Sequence, residues 1–195
     1  MVEFFFDIGS VYSYLAATQM DAFAARTGAE LRWRPFLLGG VFKATGNEMP
    51  ARVAAKARYM IDDVKRWSAE YSVPVSFPSR FPLNTLRTQR ALVAADRIAG
   101  EDAMRKLAMA LFHAYWVDDR DVSADSEIAA CARALELDAD RIVSAIDEQE
   151  TKDALRTVTD EAVRRGAFGA PTFLVGDALF WGNDRLHHLE AHLRR

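Results

Sequence analysis

The stretch Asp7-Ile8-Gly9-Ser10-Val11-Tyr12-Ser13-Tyr14-Leu15-Ala16 decides how this chain is read. Ahead of it, Val2 to Phe6 is an apolar, aromatic run that reads as a buried strand. Ile8-Gly9-Ser10 breaks that run. From Val11 to Arg26 the good helix formers Ala, Leu, Met and Gln accumulate, and Gly28 is a stop signal. Ser10 therefore stands where a strand ends and a helix begins. Unpaired N–H groups and a partial positive charge favour an anion at such a place. Taken alone, a Ser there is an ordinary N-cap.

Working outward, Glu30 to Phe36 reads as a second strand closed by Pro35, so the first 36 residues form a βαβ unit. Leu37 to Pro50, with Gly39, Gly40 and Gly46, is expected to be an irregular loop of the kind that carries function. Residues 51–70 read as helix, and Pro74, Pro78 and Pro82 enforce an extended segment. Thr85 to Arg165 is almost wholly helical. Met104, Leu107, Ala108, Leu111, Phe112 and Tyr115 form an amphipathic stripe, and Ile128, Cys131, Ala132 and Leu135 repeat it. Leu155, Val158 and Ala162 carry it again, with Thr151 as the expected N-cap and Gly166 as the stop.

The end of the chain changes character. Pro171 to Val175 reads as a strand, Gly176-Asp177 as a hairpin turn, and Ala178 to Trp181 as a second strand. Asn183 or Asp184 is expected to cap a last helix running to about Leu193. The order βαβ…αββα is that of an α/β, thioredoxin-like fold with a large all-helical insertion. Residues 1–50 and 166–195, with the adjoining helix 151–165, are expected to form the thioredoxin-like domain, and 51–150 the helical insertion domain.

Composition narrows the function. Half of the 195 residues are hydrophobic, enough for a sizeable core. The net charge of −3, from 25 Lys+Arg against 28 Asp+Glu, argues against a nucleic-acid binder. No stretch approaches the roughly 20 apolar residues of a membrane span. Met1-Val2-Glu3-Phe4 lacks a basic leader, so the expected location is the cytoplasm. The single cysteine, Cys131, forms no intramolecular disulfide and lies on an apolar helical stripe, so it reads as core. His188 and His192 are four residues apart, but with no third ligand in view no metal is expected. His113 sits inside an amphipathic helix and needs no special role.

The pattern Asp7-x-x-Ser10-x-x-Ser13-Tyr14-Leu15-Ala16 resembles the start of the kappa-class glutathione transferases and the 2-hydroxychromene-2-carboxylate isomerases, on the DsbA-like branch of the thioredoxin fold. Ser10 and Ser13 fall where disulfide oxidoreductases of that fold carry Cys-x-x-Cys. The resemblance continues at Asn47-Glu48-Met49-Pro50, Phe81-Pro82-Leu83-Asn84-Thr85-Leu86, Gly169-Ala170-Pro171-Thr172-Phe173 and Phe180-Trp181-Gly182-Asn183-Asp184-Arg185-Leu186. It spans nearly the whole chain. Val11 stands where the family often has Pro, and Met49-Pro50 where it often has two prolines.

The resemblance implies glutathione as cofactor. Two serines exclude dithiol exchange, so the sulfur comes from outside. A free thiol titrates near about 8.5, and lowering that by one unit needs about 1.4 kcal/mol of preference for the anion. One charge-assisted hydrogen bond from Ser10, the implied catalytic residue, and a helix end together supply it. Ser13 reads as structural. By the same resemblance, the Ala170 backbone before a cis Pro171 would pair with the cysteinyl part. Asn183 and Asp184 would hold the γ-glutamyl group. Pro171 otherwise reads as a strand-start proline.

The implied reaction interconverts a chromene carboxylate and its open-chain benzylidenepyruvate, as in naphthalene breakdown. Its substrate is a small anionic aromatic acid. Lys43, Asn47 and Asn84 are the candidates for its polar groups, and Tyr12, Phe42 and Trp181 for aromatic walls. For Lys43 the alternative is a solvated surface side chain. A homodimer is implied as well. The rival readings are a kappa-like transferase and a non-catalytic thioredoxin-fold binding protein.

Overall fold

A computed structural model describes residues 1–194. Among them four strands form one mixed sheet in the order β2-β1-β3-β4. The strands are β1 (Val2–Phe6), β2 (Leu31–Pro35), β3 (Thr172–Val175) and β4 (Ala178–Trp181). β1 pairs in parallel with β2 and antiparallel with β3, and β3 pairs antiparallel with β4. β1 is covered on both faces and all five of its residues are buried. Phe4 and Phe6 face one side, where Phe4 stacks on Phe173 at 5.1 Å and meets Trp33 edge-on at 5.0 Å. Phe5 faces the other side, against Phe36, Val41 and Leu174. The one charged residue in the strand, Glu3, is buried but paired with Arg34 at 2.7 Å and Arg165 at 2.6 Å, the arrangement that makes a buried carboxylate tolerable.

The helices are α1 (Val11–Ala17), α2 (Met20–Thr27), α3 (Leu38–Thr45), α4 (Ala54–Tyr71), α5 (Leu86–Ala99), α6 (Glu101–Trp116), α7 (Asp125–Ala134), α8 (Ala139–Ala145), α9 (Gln149–Arg164) and α10 (Leu186–Leu193). The architecture is thus the α/β thioredoxin-like fold with inserted helices. No helix among the described residues is long and apolar enough to cross a membrane.

Four local expectations are corrected. The helix expected from Val11 to Arg26 is two helices, α1 and α2. The Thr18 hydroxyl bonds back to the Leu15 carbonyl at 2.7 Å and competes with the helical ladder there. The segment Leu37 to Pro50 is not an irregular loop, because it contains α3. Its glycines lower helix propensity, but tertiary contacts override them. Val41 is buried under the sheet, and the Leu37 N–H bonds Thr159 Oγ1 on α9 at 3.0 Å. Gly40 faces α9 so closely that a Cβ would come within 3.2 Å of Thr159 Cγ2.

Thr151 is not an N-cap. α9 begins earlier, with Glu148 at the cap position, and the buried Thr151 hydroxyl instead accepts from Arg97 at 2.6 Å. Nor does Asn183 or Asp184 cap the last helix. Both lie inside a 3-10 turn, Asn183–Arg185, that follows Gly182 and leads into α10.

Candidate active site

Sheet register explains why distant residues meet. Phe6 pairs with Pro35, Phe5 with Thr172, and Thr172 with Trp181. The segments after β1, after β2, before β3 and after β4 therefore all emerge at one edge. Open α/β sheets place ligands at such an edge, outside the strand ends.

Ser10 is the N-cap of α1. Its Oγ accepts from the Ser13 N–H at 3.1 Å and donates to the Ala170 carbonyl at 3.1 Å, across 160 residues of sequence. The Ala170–Pro171 peptide bond is cis. The Pro171 carbonyl accepts from the Gly182 N–H at 3.0 Å, which ties the 182–185 turn to the same corner. Gly182 has φ +106°, and a Cβ there would sit 2.4 Å from Asp184 Oδ1. Only glycine fits that turn.

Asn183 is buried, and its Nδ2 has no hydrogen-bond partner. A buried donor left unmade is costly, and Asn183 is among the residues that line a groove at this corner. Asp184 beside it pairs only with its exposed neighbour Arg185 among the described residues. Ser10, Ala170, Asn183, Asp184, Tyr12 and Trp181 all line one groove of about 950 Å³. Its far side is α4, which contributes Lys56, Asp63 and Trp67. Tyr12 donates to Asp63 at 2.9 Å, and burial together with that carboxylate pushes the phenol well above its ordinary value. It is a fixed neutral hydroxyl at neutral pH.

A second, smaller cavity of about 480 Å³ adjoins the groove and holds Lys43. Gly9, Phe42 and Asn47 line both. Asn47 Nδ2 also donates to the Phe168 carbonyl at 2.8 Å. Asn84 lines neither cavity, and its Oδ1 accepts from the Leu86 N–H at 3.1 Å in a local turn. Cys131 is buried in the core, where desolvation raises its thiol pKa.

Sequence reasoning missed the α4 residues, because that helix was assigned wholly to the insertion. It also missed the anchors of the Ser10 turn. Gln89 Nε2 donates to the Phe6 and Phe36 carbonyls at 2.9 and 2.7 Å, and Trp116 Nε1 to the Ile8 carbonyl at 2.8 Å. Asp7 Oδ1 takes the Gly9 N–H and Oδ2 the Leu38 N–H, each at 2.8 Å, joining the loops after β1 and β2. A buried Gln on an apolar helix face was the available signal for the first of these.

The arrangement brings the Ser10 hydroxyl, the Asn183 amide and the Asp184 carboxylate to one groove beside the Ala170 backbone. Residues 1–194 match the model of the DSBA-like thioredoxin domain. The chain is 34% identical to a 2-hydroxychromene-2-carboxylate isomerase of Sphingobium xenophagum, over 98% of this chain and 97% of that protein. It is 32% identical to a glutathione S-transferase kappa 2 of Caenorhabditis elegans, over 95% of this chain and 88% of that protein. A solved 2-hydroxychromene-2-carboxylate isomerase structure superposes with a TM-score of 0.88 at 27% identity, covering 100% of this chain and 94% of that one. The chain belongs to the DSBA-like thioredoxin domain family, in the group that holds the 2-hydroxychromene-2-carboxylate isomerases and the kappa glutathione transferases.

Proposed function

We propose that this protein is a glutathione-dependent isomerase interconverting 2-hydroxychromene-2-carboxylate and trans-o-hydroxybenzylidenepyruvate in aromatic hydrocarbon catabolism. The observation that carries the reading is the Ser10 hydroxyl, 3.1 Å from the Ala170 carbonyl and in one groove with the unpartnered Asn183 amide. The residues present fit glutathione. Asn183 Nδ2 supplies a donor for the γ-glutamyl carboxylate, Asp184 an acceptor for its ammonium, and the Ala170 backbone a strand-like partner for the cysteinyl unit. Bound there, glutathione supplies a thiolate that adds reversibly to a conjugated carbon, so that a double bond becomes rotatable and is then restored.

The chain's own part is electrostatic. Ser10 has one hydroxyl hydrogen, and turning it from the Ala170 carbonyl to a sulfur favours the charged form of that sulfur. α1 is only seven residues long, so the burden falls on this hydroxyl more than on the helix end. Lys43 and Asn47 are assigned to the substrate, with Tyr12 and Trp181 as aromatic walls. Asn84 is assigned no contact, since its side chain closes a local turn. The reading carries with it a cytoplasmic location, a homodimer, and a division into 1–50 with 151–195 against 51–150. The site then lies between those two parts, since α4 forms one of its walls.

The test is an absorbance assay with the chromene carboxylate, with and without glutathione. Turnover that requires glutathione and leaves it unconsumed supports the isomerase. Stoichiometric loss of glutathione identifies the kappa-like transferase, the reading favoured by the similarity to the nematode protein. Turnover indifferent to glutathione overturns both. A non-catalytic binding protein would keep its function in Ser10→Ala.

A further inference from the structure

α4 is held against the molecule by directional bonds more than by packing. Of its 18 residues only Val64 is buried. Met60, Asp63, Val64, Trp67 and Tyr71 recur at i, i+3, i+4, i+7 and i+11, so they share one face, and Met60, Asp63 and Trp67 line the groove. Two phenols on α1 hold that face in place. Tyr12 donates to Asp63 at 2.9 Å, and Tyr14 donates at 3.1 Å to the Pro74 carbonyl, just past the end of α4. α1 is the helix that Ser10 caps, so α4 is fixed relative to the hydroxyl proposed to meet the sulfur.

A third phenol runs the other way. Tyr71, the last residue of α4, donates to the Asn183 backbone carbonyl at 3.2 Å. The last turn of a helix normally frays, but this one is closed. Ser72 takes a left-handed φ of 55°, a costly conformation for any residue but glycine, and the Val73 N–H returns to the Ser68 carbonyl at 2.9 Å. The Tyr71 ring packs on Trp67 with centroids 5.2 Å apart, and burial raises its phenol pKa, which keeps it a neutral donor. The 182–185 turn is thus held from two sides. The sheet holds it through the Gly182 N–H on the Pro171 carbonyl, and α4 holds it through Tyr71.

We infer that Tyr71 is a positioning residue for the thiol peptide: it fixes the Asn183 turn against α4, which is itself tied to the Ser10 helix, and so sets how far the γ-glutamyl contact lies from the sulfur contact. Asp63 and Tyr71 are eight residues apart, about 12 Å along the helix, so α4 spans from one contact to the other. Tyr71 lines neither cavity and acts only through Asn183. The inference rests on the glutathione binding proposed above, and it gives a helix outside the strand-and-turn scaffold control over how well the cofactor is held.

The test is calorimetric titration of glutathione into wild type, Tyr71→Phe, Asn183→Ala and the double variant. Phenylalanine keeps the ring on Trp67, so Tyr71→Phe removes the hydroxyl alone. It is expected to weaken glutathione binding about 3- to 10-fold, the effect of one hydrogen bond. Because Tyr71 acts through Asn183, the same change made in Asn183→Ala should weaken binding by less than about 2-fold further. Unchanged affinity in Tyr71→Phe overturns the inference. So do losses that multiply in the double variant, as a general loosening of the groove would give. Glutathione bound with the expected coupling but without isomerase turnover overturns the proposed function and leaves the role of Tyr71 standing. Wild type that does not bind glutathione overturns both.

Discussion

The two walls of the groove are built on different principles. The inner wall, carrying Ser10, Ala170 and Asn183, hangs from the ends of three hydrogen-bonded strands, and its polar groups are buried and anchored by Gln89, Trp116 and Asp7. The outer wall, from Leu38 through α4, shows exposed Lys43, Asn47, Lys56 and Tyr59 and only shallow packing. An invariant ligand is best held by groups that cannot move, since preorganised donors cost nothing to align. A ligand that differs from one relative to the next is best met by a surface whose residues can change without disturbing the core. Under the proposed function, the contrast assigns the thiol to the inner wall and most of the substrate's polar contacts to the outer one.

The comparison can be broken most severely at its anchor. Gln89→Leu removes donors from two buried carbonyls at once and is expected to cost about 2–5 kcal/mol of stability, read from the urea midpoint. A loss below about 1 kcal/mol would mean that the inner wall is not anchored as described. Next in size, Ser10→Ala should lower glutathione-dependent turnover about 10- to 100-fold, the loss of one hydrogen bond to a charged group. Its cost in stability should be only the roughly 1 kcal/mol of a lost N-cap. The same variant should raise the pKa of bound glutathione, measured by thiolate absorbance.

Asn183→Ala sharpens the contrast further. Its Nδ2 makes no bond in the protein alone, so stability should change by less than about 1 kcal/mol while glutathione affinity falls about 10-fold. Equal losses in both would make the residue structural. The smallest effect is in pH. Burial raises the Asp7 pKa, so this group favours the folded state most when protonated. Its contribution is full below the ordinary aspartate value and is lost as pH rises through the raised folded value. The stability of wild type relative to Asp7→Asn should therefore decline with rising pH over that window, as followed by urea unfolding at a series of pH values. A difference that grows with pH would show that the backbone bonds to Asp7 outweigh its desolvation.

What could be read from the amino acids follows the range of the forces involved. Val2–Phe6 and Ala178–Trp181 were legible as strands because an apolar run bounded by turn residues is a local signal. Ser10, Ala170, Asn183 and Asp184 were legible only through the order of the motifs around them, and the structure brings all four to one groove. α3 was illegible, since its glycine-rich sequence is made helical by Thr159 and Asp7, residues far away in the chain. The break at Thr18 depends on one hydroxyl choosing a backbone carbonyl, which propensity does not encode. Asn84 shows the converse: its place in a family segment was legible, but its engagement in a local turn was not.

The pairing of Glu3 with Leu174 has a consequence for biosynthesis. The central strand β1 is translated well before β3, its neighbour on one side, with α1 through α9 made in between. Until then β1 can pair with β2 alone, and its other edge stays open beneath a row of phenylalanines. While α1 through α9 are being made, the nascent chain thus carries a half-finished sheet with an open edge and an incomplete groove.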